Sequence, residues 1–240
     1  MIIDFHSHIL PGIDDGSDSV ETSKQIISKE LKDNVGTILA TPHYYCEEQS
    51  IEKFISKRNN AYQQLLTSYS NADSLPKIGL ASEVYYTHYL NNVSNIKALC
   101  IEGTNYLLLE LPYKEITPSI IDGILNLADN NNVNLVIAHI ERYLKYTSYK
   151  SLVPLLNSGV LGQINCGSLV NKATRKNVFK LIKDGYVHTI GTDVHNTTSR
   201  PAYMKEALEI LNKKFSPSFT ETLMRNSQMI LNNVEIEDIY

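Results

Sequence analysis

Two histidines near the start of the chain, His6 and His8, have a spacing that suits metal binding. They follow a short run in which Ile2, Ile3 and Phe5 predict a buried β-strand. Side chains at positions i and i+2 of a strand point to the same face, so the two imidazoles lie side by side and can hold one ion. An isolated His-x-His pair more often consists of two hydrogen-bonded residues at a strand end. The metal interpretation therefore depends on the rest of the chain.

Other side chains able to bind metals follow five further apolar runs. They are His43 in "ATPH", Glu83 in "ASE", Glu110 in "LLLELP", His139 in "VIAH", and Asp193 and His195 in "IGTDVH". Each alone has a structural interpretation: Glu83 as a rim charge, His139 as a packed core histidine, Asp193 as a helix cap. Together they predict a metal centre, because burying that many carboxylates without a cation is very costly.

These residues belong to a repeating pattern of strands and helices. The predicted strands are Ile2 to Phe5, Thr37 to Ala40, Ile78 to Ser82, Tyr106 to Leu111, Asn134 to Ala138, Leu161 to Asn165 and Val187 to Gly191. Helical spacing lies between most of them, for example over Val20 to Lys32 and Ile120 to Asn130. Alternation of strand and helix predicts parallel strands, whose carboxyl ends open onto one face.

The predicted architecture is an α/β fold in which residues 1–240 form a single domain. A closed or nearly closed seven-stranded barrel is favoured, with a doubly wound open sheet as the alternative. Ser17, Asp18 and Ser19 are candidate caps for the first helix, and Gly159 and Gly185 are expected where later helices end.

Composition narrows the classes of function. The chain has a net charge of −4 and no basic clusters, which argues against nucleic-acid binding. No signal peptide and no membrane span are predicted. The three cysteines, Cys46, Cys100 and Cys166, are odd in number and widely spaced, which favours a reducing cytoplasm over a disulfide framework.

The donor set also indicates the chemistry. Imidazole and carboxylate without thiolate favour Mn²⁺, Fe or Zn²⁺ over a structural zinc site, and bridging carboxylates suit two or three ions. Such centres activate water for displacement at phosphorus, so we predict hydrolysis of a phosphoester without a phosphoenzyme. A cysteine phosphatase requires Arg six residues after its Cys, and Glu52, Tyr106 and Lys172 occupy those positions instead.

The motifs "DFHSH", "ATPH", "SE", "AHIER" and "GTDVH" resemble those of the polymerase and histidinol phosphatase (PHP) superfamily. "HSHILPGIDDG" together with "AHIER" and "TDVHNTTSRP" is similar to its bacterial manganese-dependent protein-tyrosine phosphatase branch. The resemblance implies a distorted (β/α)7 barrel with a trinuclear site at the carboxyl ends of the strands. It also implies dephosphorylation of a tyrosine kinase that regulates capsular or extracellular polysaccharide synthesis.

The resemblance further implies three ligand sets, the first two of which share Glu83: His6, His8, Glu83 and Asp193; Glu83, Glu110 and His139; Asp15, His43 and His195. Small-molecule phosphatases of the superfamily tend to have histidine in place of Asp15 and Glu110, so these carboxylates favour the tyrosine-phosphatase branch. Asp14 remains an alternative to Asp15.

Arg142 in "HIER" and Arg200 in "TTSRP" match the phosphate-binding arginines of that branch. A guanidinium group offers the bidentate geometry that a phosphoryl group accepts. The leaving phenolate needs no proton donor, since tyrosine has a pKa near 10, or it takes a proton from His43 or from water at Asp15.

Nine tyrosines follow the second to fifth predicted strands: Tyr44, Tyr45, Tyr85, Tyr86, Tyr89, Tyr113, Tyr143, Tyr146 and Tyr149. They predict either an aromatic rim around the site or the packing of loops onto helices. Two other functions stay open: a small-molecule phosphomonoesterase of the histidinol-phosphatase type, and a metal-bound scaffold that recognises a polysaccharide-associated kinase without catalysis.

Overall fold

The computed structural model describes residues 1–70 and 75–236. The strands are β1 (Ile2–Ser7), β2 (Val35–Ala40), β3 (His43–Tyr44), β4 (Lys77–Leu80), β5 (Glu83–Tyr85), β6 (Tyr106–Glu110), β7 (Asn134–Ile137), β8 (Leu161–Asn165) and β9 (Thr189–Gly191). The α-helices are α1 (Val20–Lys32), α2 (Ile51–Thr67), α3 (Pro118–Asn131), α4 (Tyr149–Leu156), α5 (Cys166–Val170), α6 (Lys172–Lys183), α7 (Met204–Lys214) and α8 (Pro217–Leu231). Short 3₁₀ turns span His88–Asn92, Ile96–Leu99 and Ile140–Lys145.

Every strand pair is parallel, in a curled sheet of two hydrogen-bonded parts. The strand order is β1-β2-β4 in one part and β3-β5-β6-β7-β8-β9 in the other. A bridge between Ser7 and Val194 links β1 to the segment after β9. The strands thus follow chain order, without the reversal that defines a doubly wound sheet, so that alternative is wrong.

Two of the predicted strands are interrupted. The second is followed beyond Ala40 by β3, and the third ends at Leu80 instead of Ser82 and is followed by β5. Pro42 lies in the first interruption and has no N–H to donate to a neighbouring strand, although its carbonyl oxygen accepts the Glu83 N–H at 3.0 Å. The interruptions lie directly before His43 and Glu83, so each of these residues begins a short strand of its own.

A bulge in β1 determines how His6 is presented. Between two paired positions β1 has Phe5 and His6, whereas β2 has only Leu39. One extra residue bends a strand and redirects its side chains, often next to an active site. Phe5 accordingly packs in an apolar cluster with Leu108, while the adjacent His6 is buried beside Glu83.

The helices described here begin and end where capping residues and glycines in the sequence predict. Helix α1 spans the predicted residues, and Ser19 is its N-cap, with its side-chain oxygen accepting the Thr22 N–H at 3.2 Å. Gly159 and Gly185 follow α4 and α6 with φ of 86° and 81°, a left-handed conformation that suits glycine.

The central strands are buried on both faces. In β6, Leu108 belongs to the smaller apolar cluster with Phe5, whereas Leu107 and Leu109 belong to the larger one packed against the helices. Burial on both sides explains why this strand is a continuous apolar run. Within the described residues, no helix combines the length and the apolar character needed to cross a bilayer.

Candidate metal centre and active site

The predicted ligands meet at the carboxyl ends of the strands, in three overlapping groups. The groups are His6, His8, Glu83 and Asp193; His43, Glu83 and Glu110; and His8, Asp15, His43 and His195. Within each group the ligand atoms lie within 4.8 Å of one another. The first group coincides with one predicted set. The second differs from its predicted set in having His43 in place of His139, and the third adds His8 to Asp15, His43 and His195.

Glu83 belongs to two of the three groups. It is fully buried, and its Oε2 lies 3.0 Å from His6 Nε2 and 3.1 Å from His43 Nδ1. Its Oε1 lies 2.8 Å from His139 Nε2, and His139 Nε2 is 3.5 Å from Glu110 Oε1. This carboxylate therefore has the position of a bridge between ligand groups.

The hydrogen bonds of His6 and His8 test whether a cation fits. His6 Nδ1 faces the Gln163 side-chain oxygen at 3.1 Å, and His8 Nδ1 faces Asp14 Oδ2 at 2.7 Å. Both Nδ1 atoms donate to these acceptors, so a neutral imidazole at either position presents a lone pair at Nε2. The two Nε2 atoms are 3.1 Å apart, and both lie within 3.1 Å of Glu83 Oε2. A positive charge, from a proton or a metal ion, stabilises three such atoms at this distance, so the residues fit a bound metal.

Strand β8, the one predicted strand without a candidate ligand, orients the ligands of its neighbours. Gln163 Oε1 also accepts the His139 N–H at 2.8 Å, and Asn165 Nδ2 donates to Asp193 Oδ2 at 2.7 Å. Gln163 and Asn165 were not predicted as part of the site, although their i, i+2 spacing repeats that of His6 and His8. Such supporting hydrogen bonds fix ligand orientation and tune metal affinity.

The doublet Asp14-Asp15 divides into two roles. Asp14 is buried, and besides His8 it accepts the His43 N–H at 3.0 Å, so its oxygens are engaged in holding other residues. Asp15 is exposed, and its Oδ1 lies 3.4 Å from His43 Nε2 and 3.3 Å from His195 Nε2. The geometry favours Asp15 as the ligand and Asp14 as the residue that positions His8.

Burial tunes the protonation of the site. It lowers the pKa of His139 to about 4 and that of His195 to about 3, so both imidazoles are neutral near pH 7, which is the form that binds metals. Burial and the charge of Glu83 raise the pKa of Glu110 to about 7. A cation beside these two carboxylates relieves their repulsion.

Two candidate ligands have a strained backbone. His139 follows β7 with φ of 34°, and Asp193 lies just beyond β9 with φ of 53°. Residues other than glycine seldom adopt this left-handed region, at a cost of about 1–3 kcal/mol. The His139 N–H is held by Gln163, and the Asp193 N–H donates to the His6 carbonyl oxygen at 2.7 Å. Strain of this kind is typical of functional sites.

The two predicted phosphate-binding arginines meet at Asp193. Arg200 Nη2 donates to both Asp193 oxygens at 2.9 and 2.8 Å, and Arg142 Nη2 also donates to Oδ2. Arg200 Nη1 lies 3.6 Å from Asp15 Oδ2. Both guanidinium groups are partly exposed, so they line the centre and remain accessible to a ligand from solvent.

Tyr113 connects one arginine to the candidate ligands. Its hydroxyl donates to Glu110 Oε1 and accepts from Arg142 Nη1 at 2.9 Å. The sequence analysis considered this residue only as part of an aromatic rim. Its position three residues after Glu110 is the signal that places it beside that ligand.

The nine tyrosines divide between the two roles that the sequence left open. Tyr44, Tyr86 and Tyr143 are buried, and the Tyr143 hydroxyl accepts the Leu111 N–H at 2.8 Å. A rim role is wrong for these three. The partly or largely exposed ones are Tyr45, Tyr85, Tyr89, Tyr113, Tyr146 and Tyr149.

The cysteines are free, as predicted. Cys100 and Cys166 are buried and Cys46 is partly buried. Burial raises the pKa of Cys100 to about 12 and moves the pKa of Cys166 in the same direction, so neither thiol forms a thiolate readily.

Parallel strands that collect imidazoles and carboxylates at their carboxyl ends, with two guanidinium groups beside them, define an α/β protein with a candidate metal centre. The chain belongs to the CpsB/CapC family of capsular polysaccharide synthesis, whose family model matches residues 2–232.

Curated relatives agree with this family. The chain is 30% identical to the putative tyrosine-protein phosphatase CapC of Staphylococcus aureus over 248 residues, covering 98% of this chain and 93% of the relative. It is also 30% identical to the tyrosine-protein phosphatase CpsB of Streptococcus pneumoniae, covering 89% and 91% of the two chains. Its identity to the tyrosine-protein phosphatase YwqE of Bacillus subtilis is 27%, covering 98% and 93%.

Solved structures share the fold. A structure from a study of YwqE of Bacillus subtilis and CpsB of Streptococcus pneumoniae, described there as metal-dependent tyrosine phosphatases, superposes with a TM-score of 0.84 at 24% identity, covering 98% and 96% of the chains. The lactonase Lmo2620 of Listeria monocytogenes matches with a TM-score of 0.57 at 11% identity, covering 98% and 95%. At these identities the comparison supports the curled α/β fold.

Proposed function

We propose that this chain is a metal-dependent tyrosine-protein phosphatase. The observation that carries the proposal is the pair of partly exposed guanidinium groups of Arg142 and Arg200 at Asp193, beside the buried imidazole and carboxylate cluster. Membership of the CpsB/CapC family and the names of its curated relatives support it. We assign residues 1–240 to a single PHP-type domain, a distorted (β/α)7 barrel.

In this proposal the ligands hold two or three ions, with Mn²⁺ favoured over Fe and Zn²⁺. The assignment is His6, His8, Glu83 and Asp193 for one ion, Glu83, Glu110 and His139 for the second, and Asp15, His43 and His195 for the third. Bound ions supply an activated water and stabilise charge on the phosphoryl oxygens.

The side chains of the protein supply the remaining steps. Arg142 and Arg200 bind the non-bridging phosphoryl oxygens, and Tyr113 holds Arg142 in place through its hydroxyl. Both ring nitrogens of His43 face carboxylates, at 3.1 Å from Glu83 and 3.4 Å from Asp15. If two ions were bound, His43 would be available to donate a proton to the leaving phenolate oxygen. If three were bound, it would be a ligand, and the phenolate would leave without a proton donor.

The proposed substrate is a phosphotyrosine-bearing protein, namely a tyrosine kinase of capsular or extracellular polysaccharide synthesis, and the proposed location is the cytoplasm. The family description supports a role in capsular polysaccharide synthesis. Nucleic acid is not a proposed partner, because the net charge of −4 does not favour a polyphosphate backbone.

A comparison of substrates tests the proposal. With Mn²⁺ present, kcat/KM should be highest for a phosphotyrosine peptide, lower for a simple aryl phosphate and lowest for histidinol phosphate. Thiol alkylation should leave these rates unchanged, because no cysteine takes part. A preference for histidinol phosphate would indicate a small-molecule phosphomonoesterase. Tight binding of the phosphopeptide without turnover would indicate the non-catalytic scaffold.

A further inference from the structure

A cavity of about 340 Å³ adjoins the candidate centre and is lined by Asp193, Arg142 and Arg200. Its other walls come from α5 and from the segment that follows β9. They include Gly167, Val170, Pro201 and Tyr203. Its volume lies within the range of about 300–1,000 Å³ that is usual for small-molecule sites.

The cavity combines two kinds of surface. Two guanidinium groups favour a phosphoryl group, whereas the ring of Tyr203 with Val170 and Pro201 offers apolar surface between polar residues such as Ser168, Asn171 and Ser199. A phosphate ester with an aromatic leaving group has the same two parts. We propose that this cavity binds the aromatic ring of the phosphotyrosine, with Tyr203 and Pro201 determining specificity for an aryl ester. The inference rests on the proposed function and assigns the leaving-group side of that site.

Gly167 keeps space open for the ring. It is the second residue of α5, and a Cβ atom built on it would meet nothing closer than Tyr203 Cδ2, at 3.9 Å. That distance is ordinary van der Waals contact, so a side chain is tolerated here without displacing the backbone. A longer apolar side chain at this position would occupy the cavity.

A second cavity, of about 280 Å³, lies on the tyrosine-rich side and is lined by Tyr85, Tyr89 and Ser119 among others. Neither arginine nor any candidate ligand is among the described residues that line it. A ring bound there has no guanidinium group along the same wall. This contrast favours the cavity beside Gly167 and supplies a matched control site.

The test uses the full-length, metal-loaded protein and the hydrolysis of phenyl phosphate to phenol and inorganic phosphate. Gly167→Leu should raise KM for phenyl phosphate on the order of ten-fold. It should leave the metal content and the inhibition constant of inorganic phosphate unchanged, because the phosphoryl contacts remain. Tyr203→Leu, which removes a wall instead of filling the space, should show the same selective rise. Ser119→Leu, on the exposed start of α3, is the control and should leave KM unchanged.

An unchanged KM in both Gly167→Leu and Tyr203→Leu would overturn the aryl site. So would a parallel loss of phosphate inhibition, which would place the effect at the arginines, or a KM rise in Ser119→Leu alone, which would place the ring on the tyrosine-rich side. Failure of the proposed function is distinguishable from all of these, because the parent protein itself would then show no turnover of phenyl phosphate or of the phosphotyrosine peptide.

Discussion

Replacing Glu83 by alanine is expected to remove bound metal and activity together. Its two oxygens lie between 2.8 and 3.1 Å from four imidazoles, those of His6, His8, His43 and His139. The substitution removes the central negative charge and deprives two proposed ions of their shared ligand. We expect kcat/KM on a phosphotyrosine peptide to fall by about 1,000-fold or more.

Thermal melting with and without Mn²⁺ shows whether the loss of activity in Glu83→Ala results from loss of bound metal. Ligands that bind only the native state raise its stability, so Mn²⁺ should raise the Tm of the parent protein but not that of Glu83→Ala. Glu83→Gln keeps the shape of the side chain but removes its negative charge, so this variant should still bind metal poorly. Glu30 is the matched control, since it is an equally buried glutamate on α1 whose charge interacts chiefly with Asp4 and Asp33 and not with an imidazole. Glu30→Gln should retain metal, and normal metal content in Glu83→Gln would rule out the bridging role.

Arg200→Ala is expected to separate binding of phosphate from binding of metal. Arg200 contacts Asp193 and approaches Asp15 but is not a ligand, and Asp193 keeps Arg142 and Asn165 as partners. Metal content and Tm should therefore remain those of the parent. Loss of one arginine from the phosphoryl group should lower kcat/KM by about 30- to 1,000-fold, or roughly 2 to 4 kcal/mol.

Arg200→Lys should recover only part of that loss, because an ammonium group lacks the bidentate geometry. The control is Arg225→Ala, an exposed arginine that lines, with Ile2 and Ile3, a cavity near the start of β1. Arg225→Ala should have the metal content, Tm and kcat/KM of the parent protein. Full activity in Arg200→Ala would show that the phosphate-binding assignment is wrong.

Much of this arrangement is predictable from sequence because of one rule of topology. Parallel strands present their carboxyl ends at one edge, so residues as far apart as His6 and Asp193 can be assigned to one site from the apolar runs that precede them. The spacing of His6 and His8 predicts their pairing, and their Nε2 atoms lie 3.1 Å apart.

Other features depend on tertiary contacts that no local pattern carries. The bulge at Phe5 and His6 lies opposite the single residue Leu39 of β2. The interruption between β2 and β3 places His43 at the first position of a separate strand. Tyr113 becomes part of the site only because the chain brings Arg142 to its hydroxyl. The i, i+2 spacing of Gln163 and Asn165 does not reveal their role by itself, because that role depends on which side chains lie opposite them.

A direct view of the bound ions would show whether these side chains form a metal centre. Crystals of active protein grown with Mn²⁺ should show anomalous scattering peaks at the manganese edge, two or three per chain, within bonding distance of Glu83 and its neighbouring imidazoles. Active crystals without a peak beside Glu83, or with metal bound only elsewhere on the chain, would contradict the account.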